Sequence, residues 1–223
     1  MIIPNPIRAV IFDLDGTLMD TAGEIDAALS RTFGELGVEP LATQAVTALI
    51  GRGVHSLVER ALEKRGAGAI DVDDAVERFE KHYAALVGSA ADLFPGVREG
   101  LRVLEANGRK LAVVTNKPRI FTVKLLQRAG VDSAIPVVVA GDDGIRRKPA
   151  GDMLEAACAR MQSAPAETLM LGDSDNDVIA ARAAGCPVWC VPYGYNEGRP
   201  PDTLACDRLV ATVEEAARLI LGR

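Results

Sequence analysis

The feature that most limits how this chain can fold is a series of short apolar runs, each breaking off into polar residues: Ala9–Phe12, Leu111–Val114, Pro136–Val139, Leu169–Leu171 and Val188–Val191. These runs are apolar at every position rather than at alternate ones, which suits strands covered on both faces, as in a parallel sheet. Helical periods lie between them. Val97, Leu101 and Leu104 recur at i, i+4 and i+7, and Leu154, Ala157, Cys158 and Met161 follow a similar spacing, as do Val213, Ala216, Ala217 and Ile220. Strand and helix alternate from Pro95 onward, which predicts an α/β fold built on a doubly wound, Rossmann-like parallel sheet.

One stretch breaks this rhythm. Ile25, Leu29, Phe33 and Leu36 form an amphipathic stripe, Val54, Leu57, Val58, Ala61 and Leu62 a second, and Val76, Phe79, Tyr83 and Leu86 a third, with no strand run among them. Gly37, Gly51, Gly53, Gly66 and Gly68 mark turns between the stripes. The expectation is a helical cap at residues 20–89, inserted into a core made of residues 1–19 and 90–223.

Composition narrows the function. Of 223 residues, 48% are hydrophobic and 25% charged, which excludes a disordered or collagen-like chain. No apolar run approaches the roughly 18–20 residues that span a bilayer. The opening MIIPNPIRAVIF is interrupted by Pro4 and Pro6 and runs into Asp13, unlike a secretory signal, so a cytoplasmic protein with no membrane partner is expected. A net charge of −6 counts against nucleic-acid binding while leaving room for a small anionic ligand. Cys158, Cys186, Cys190 and Cys206 lack C-x-x-C spacing and read as reduced thiols rather than a zinc site. His55 and His82 are the only histidines, and neither sits in a nucleophile motif. Any catalysis therefore falls to carboxylates and lysines; nothing in the sequence fixes an oligomeric state.

Four motifs carry candidate chemistry. Asp13 and Asp15 close the first strand in FDLDGT, where residues at i and i+2 point the same way, and Gly16 allows a sharp turn; a strand-ending turn with solvated acids is the plainer alternative. Gly172-Asp173-Ser174-Asp175-Asn176-Asp177 follows another strand and opens a helix, which its acids could simply cap. Brought near Asp13 and Asp15, however, these acids would repel one another unless a cation joined them, and hard oxygen ligands suit Mg²⁺. Thr115 and Asn116 end a strand just before Pro118, either as an ordinary helix start or as a phosphate cradle. Lys148 lies in a turn after the third strand run, at the same end of the sheet as the aspartates.

In this order, Asp13-Leu-Asp15-Gly-Thr17, Thr115-Asn116, Lys148-Pro149 and Gly172-Asp173-Ser-Asp-Asn-Asp177 resemble the four motifs of the haloacid dehalogenase superfamily of phosphotransferases, over the whole chain. Val114-Thr-Asn-Lys-Pro118, Gly141-Asp-Asp143, Ala183-Ala-Gly-Cys186, Tyr193-Gly-Tyr-Asn196 and, in the cap, Ile50-Gly-Arg-Gly53 are further similar to bacterial phosphoglycolate phosphatases.

The resemblance implies a Mg²⁺-dependent phosphoric monoester hydrolase that converts 2-phosphoglycolate to glycolate and phosphate. Asp13 would be the nucleophile that forms an aspartyl-phosphate, and Asp15 the general acid and base. The metal would rest on Asp13, the main-chain carbonyl of Asp15, and Asp173, with Asp177 orienting the site; Thr115, Asn116 and Lys148 would bind the phosphoryl oxygens. Arg52 and Lys117 are candidates to read the substrate's carboxylate. Two alternatives share this chemistry: a sugar-phosphate or pyrophosphate phosphatase, and a phosphomutase. A receiver-type signalling domain is the alternative from another class, but it wants adjacent acids and a shorter chain.

Overall fold

A computed structural model describes residues 6–223; the first five residues, which include part of the proline-broken opening and of the expected core, lie outside the described residues. Six strands form a parallel sheet in the order β5-β4-β1-β6-β7-β8, where β1 is Ala9–Phe12, β4 Lys110–Val114, β5 Val137–Val139, β6 Thr168–Gly172, β7 Val188–Cys190 and β8 Arg208–Leu209. All five apolar runs became strands. The central strand β1 pairs on both sides, placing Phe12 level with Val113 of β4 and Leu171 of β6.

Strand side chains alternate between two buried clusters. Val10, Phe12, Leu111, Val113, Leu169 and Leu171 face one of them, where helices α5 (Val97–Ala106), α6 (Arg119–Ala129) and α9 (Val213–Ile220) bury their apolar stripes. Ala9, Ile11, Ala112, Val114 and Met170 face the other, under α7 (Asp152–Met161) and α8 (Asp175–Ala184). Helices on both faces explain why the runs are apolar throughout, and they make the sheet doubly wound, as the sequence predicts.

Between β1 and α5 lie four helices: α1 (Ala22–Glu35), α2 (Thr43–Thr47), α3 (Val54–Lys64) and α4 (Val72–Leu86). Their buried residues, among them Ile25, Leu29, Phe33, Leu57, Val58, Leu62, Phe79 and Tyr83, join the first cluster. Helix α4 starts where the Asp71 side chain accepts from the N–H groups of Asp73 and Asp74, with acids in its first turn to meet the helix dipole.

The segment leaves and returns through a two-stranded antiparallel ribbon, β2 (Met19–Asp20) and β3 (Asp92–Leu93). Strands of two residues have no period, so the sequence reading missed them. Glu24, buried on α1, fastens the return by accepting from the N–H groups of Gly88, Ala90 and Ala91 at 2.9, 2.7 and 3.0 Å.

Candidate active site

The carboxyl ends of the central strands gather the candidate residues. Strand β1 runs into Asp13, β4 into Thr115 and Asn116, and β6 into Asp173, while the loop after β5 delivers Lys148. All of these and Asp177 are buried, and Asp15 is half-buried.

Lys148 stands between two acids, its Nζ 2.8 Å from Asp13 Oδ1 and 2.7 Å from Asp177 Oδ1. Asp177 is fully committed, since its Oδ2 accepts from the N–H groups of Asp173 and Ser174 at 3.1 Å each and from Ser174 Oγ at 2.9 Å. This is the capping box that starts α8, so the capping reading of the acidic cluster holds for Ser174 and Asp177. Asp173 is held by Thr17 Oγ1 at 2.9 Å and by the N–H of Tyr195 at 2.7 Å. The site depends on close approach at glycine. Gly16 has φ +85°, and a Cβ there would lie 2.5 Å from Asp173 Oδ2; a Cβ on Gly194 would overlap the Asp173 side chain.

Three buried carboxylates, Asp13, Asp173 and Asp177, offer oxygens that all lie within 4.8 Å of one another, with Lys148 the one buried ammonium bonded among them. Burial drives the Asp13 carboxyl well above the ordinary value; Lys148 pulls it back, while Asp177 and Asp173 push it further up. Burial, then the Asp177 charge, raises Asp173 to about 7. Burial alone would discharge Lys148, yet Asp13 and Asp177 outweigh it and raise its pKa, so it stays an ammonium. Such an excess of negative charge on hard oxygen donors fits a divalent cation. Asp13 supports that fit: its Oδ1 accepts from the Leu14 N–H at 2.7 Å and from Lys148, while Oδ2 accepts no hydrogen bond among the described residues.

The Asp15 carboxylate stands apart from that trio. Its Oδ1 accepts from Thr21 Oγ1 at 2.6 Å and lies 3.0 Å from Lys117 Nζ. Both Asp13 and Asp15 line one cavity with Thr115, Asn116 and Lys117, so the two acids of FDLDGT do converge, although from a turn beyond β1 rather than from the strand itself. Thr115 Oγ1 accepts from the Lys117 N–H, and Asn116 Nδ2 donates to the carbonyls of Gly51 and Lys148. The backbone N–H groups of Asn116 and Asp15 have no acceptor among the described residues, and Asn116 Oδ1 is buried and unpartnered.

Two expectations about cations part company. Lys117 lines the cavity, whereas Arg52 lies outside it, paired through its Nε and Nη2 with Glu197. The roles of Thr17, Thr21, Tyr83 and Tyr195 were not read from the sequence, because each acts on a partner far away in the chain or in a turn without a motif. Tyr195 is representative: its hydroxyl accepts from the N–H of Thr21 at 2.9 Å and donates to Asp20 at 2.8 Å, bracing the entry to α1.

The chain is 43% identical to a phosphoglycolate phosphatase of Nitrosospira multiformis over 223 residues, covering 99% of this chain and 98% of that protein. A phosphoglycolate phosphatase of Thiobacillus denitrificans is 42% identical, with 97% of each covered. Among solved structures, a predicted phosphoglycolate phosphatase from Haemophilus somnus superposes with a TM-score of 0.88 at 27% identity, over 97% of this chain and 99% of that one. The model of the haloacid dehalogenase-like hydrolases matches residues 10–191, which span all four motifs, and the chain belongs to that family.

Proposed function

We propose that this chain is a Mg²⁺-dependent phosphomonoesterase of the cytoplasm that hydrolyses 2-phosphoglycolate to glycolate and phosphate. The observation that carries the reading is the placing of Asp13: a buried carboxylate with one oxygen open, its other oxygen on Lys148, in a cavity shared with Asp15. The names of the full-length relatives support the substrate. Four free cysteines accord with a reducing compartment, and no described helix is long and apolar enough to cross a membrane.

In the first step Asp13 attacks phosphorus, the bond from phosphorus to the glycolate oxygen breaks, and Asp15 gives its proton to that oxygen. In the second, Asp15 takes a proton from water as the water attacks phosphorus, and the bond to Asp13 breaks. Thr115, the N–H of Asn116 and Lys148 hold the phosphoryl oxygens, and Lys148 screens Asp13 from their charge. Asp13, the carbonyl of Asp15 and Asp173 would hold the metal, and Asp177 orients Lys148 and the start of α8. When bound, Mg²⁺ supplies positive charge that offsets the repulsion between carboxylate and phosphoryl group.

Residues 20–89 act as a cap over a core of residues 1–19 and 90–223. The arrangement supports a closed state, because Asn116 Nδ2 reaches Gly51 O at 3.0 Å and the cavity has room for only about 30 Å³. Substrate entry then requires the cap to lift, and closure excludes water.

Phosphate release from 2-phosphoglycolate, sugar phosphates, pyrophosphate and a nitrophenyl ester, with Mg²⁺ and with chelator, tests the reading. Preference for 2-phosphoglycolate that chelator abolishes is expected. A sugar-weighted profile would transfer the reading to a sugar-phosphate phosphatase, and isomerised product to a mutase. A long-lived phosphoprotein without turnover would favour the receiver class.

A further inference from the structure

Lys117 is a buried ammonium that the four motifs leave without a task. Its Nζ lies 3.0 Å from Asp15 Oδ1 and donates to the Tyr83 hydroxyl at 3.0 Å, over whose ring it also sits at 4.7 Å from the centroid. A count of hydrogens shows what is left over. An ammonium has three N–H donors, of which Lys117 uses two. Tyr83 accepts from Lys117, and its own O–H proton meets no acceptor among the described residues. Two donors therefore remain, one from the core and one from α4 across the cavity, and both residues line it. A buried pair of unanswered donors, one of them charged, is a receptor for an anion.

The location identifies which anion. The receptor adjoins Asp15, the group that protonates the leaving oxygen, and not the Asp13–Lys148 end where the phosphoryl group rests. Around it the cap presents Ile25, Ile50, Val54, Leu57 and Phe79, apolar side chains that offer nothing to the hydroxyls of a sugar. In 2-phosphoglycolate a single methylene separates the ester oxygen from the carboxylate, so a carboxylate oxygen falls beside the atom that Asp15 protonates.

We propose that Lys117 and Tyr83 form the subsite that binds the leaving group's carboxylate, which makes the preferred substrate the phosphate ester of a short 2-hydroxy acid. The inference rests on the phosphatase reading above and deepens it. Tyr83 belongs to the helical segment and Lys117 to the core, and the two already meet at 3.0 Å, so a carboxylate bound to both would hold that segment closed over Asp15.

The test compares 2-phosphoglycolate with ethyl phosphate, which keeps the ester and lacks the carboxylate, as a ratio of kcat/KM values in the wild type, Tyr83→Phe and Lys117→Met. Tyr83→Phe removes one hydroxyl and keeps the ring that packs on Phe79 and Phe121. Any loss of folded enzyme divides out of the ratio. The ratio should fall about tenfold or more in each variant, mainly through KM for 2-phosphoglycolate, as expected when a site loses a donor to a substrate charge. A ratio within twofold of the wild type would overturn the proposal and leave the two residues as supports for Asp15.

A second measurement does not depend on turnover. In full-length Asp13→Asn protein with Mg²⁺, calorimetric binding of 2-phosphoglycolate should weaken about tenfold when Tyr83→Phe is added, with inorganic phosphate binding unaffected. Equal weakening of both ligands, or of neither, would overturn the subsite. Wild-type enzyme that cleaves other esters but not 2-phosphoglycolate would refute the substrate reading instead, whereas normal turnover with an unchanged ratio refutes the subsite alone.

Discussion

Asp177 accepts from Lys148 Nζ at 2.7 Å, and both side chains are almost wholly shut off from solvent. The same ammonium serves Asp13, so one lysine holds the candidate nucleophile and the start of α8 in register. Lys148→Ala would leave two buried carboxylates without their cation. It should cost about 3 kcal/mol of stability, the scale of breaking a buried ion pair, and lower kcat by at least about a hundredfold. Thermal unfolding and steady-state kinetics measure the two effects separately.

Asp13→Asn works in the opposite direction on stability. An amide cannot serve as the nucleophile, so turnover should fall by about a thousandfold or more. Its oxygen can still accept from Lys148, and a carboxyl whose ionisation burial and its acidic neighbours oppose is gone. The variant should therefore unfold in chelator at a temperature no lower than the wild type. Substantial turnover in a sequence-verified sample would remove Asp13 from its assigned role.

The raised Asp173 carboxyl gives the metal-free protein a pH signature. Burial and the Asp177 charge hold it up to about 7, against an ordinary value of 3.8. Within that window the folded state keeps a proton that the unfolded chain releases. Its contribution is full below 3.8 and is lost as pH rises through about 7. Added Mg²⁺ should then stabilise the protein more at pH 8 than at pH 5, because the cation needs the ionised carboxylate. Thermal shift with and without Mg²⁺ across that range measures it, and Asp173→Asn should flatten the chelator curve.

Glu24 makes a prediction about the return of the helical segment. Its carboxylate answers three backbone N–H groups at residues 88, 90 and 91, and Glu24→Ala would strand them. The expected loss is about 2–4 kcal/mol in urea unfolding. Hydrogen exchange should rise first at residues 88–91.

How much of this was legible in the sequence depends on whether a feature repeats or is contiguous. The five strand runs are contiguous and the helical stripes have a period, and every one of those runs became a strand or a helix. Asp13, Asp15, Thr115, Asn116, Lys148, Asp173 and Asp177 were legible because each follows a strand, and parallel strands bring their carboxyl ends together. The pairing of Tyr83 with Lys117 was not legible, because on α4 the tyrosine is merely one more apolar position of its stripe. Its hydroxyl meets Lys117, 34 residues further along the chain. Glu24 has the same character: an ordinary acid in the first turn of a helix whose partners lie 64 or more residues away. Arg52, flanked by glycines, looked like a free cation, and the distant Glu197 engages it.

The central claim is that Asp13 carries the phosphoryl group during hydrolysis of 2-phosphoglycolate. The most direct measurement is acid quenching of the enzyme during turnover with Mg²⁺ and 2-phosphoglycolate, borohydride reduction of any acyl phosphate, and mass mapping of the modified peptide. The account predicts reduction at position 13 alone, and none when substrate is omitted. Modification at any other acid, or phosphate release through a complete single turnover with position 13 unmodified at every quench time, would contradict it.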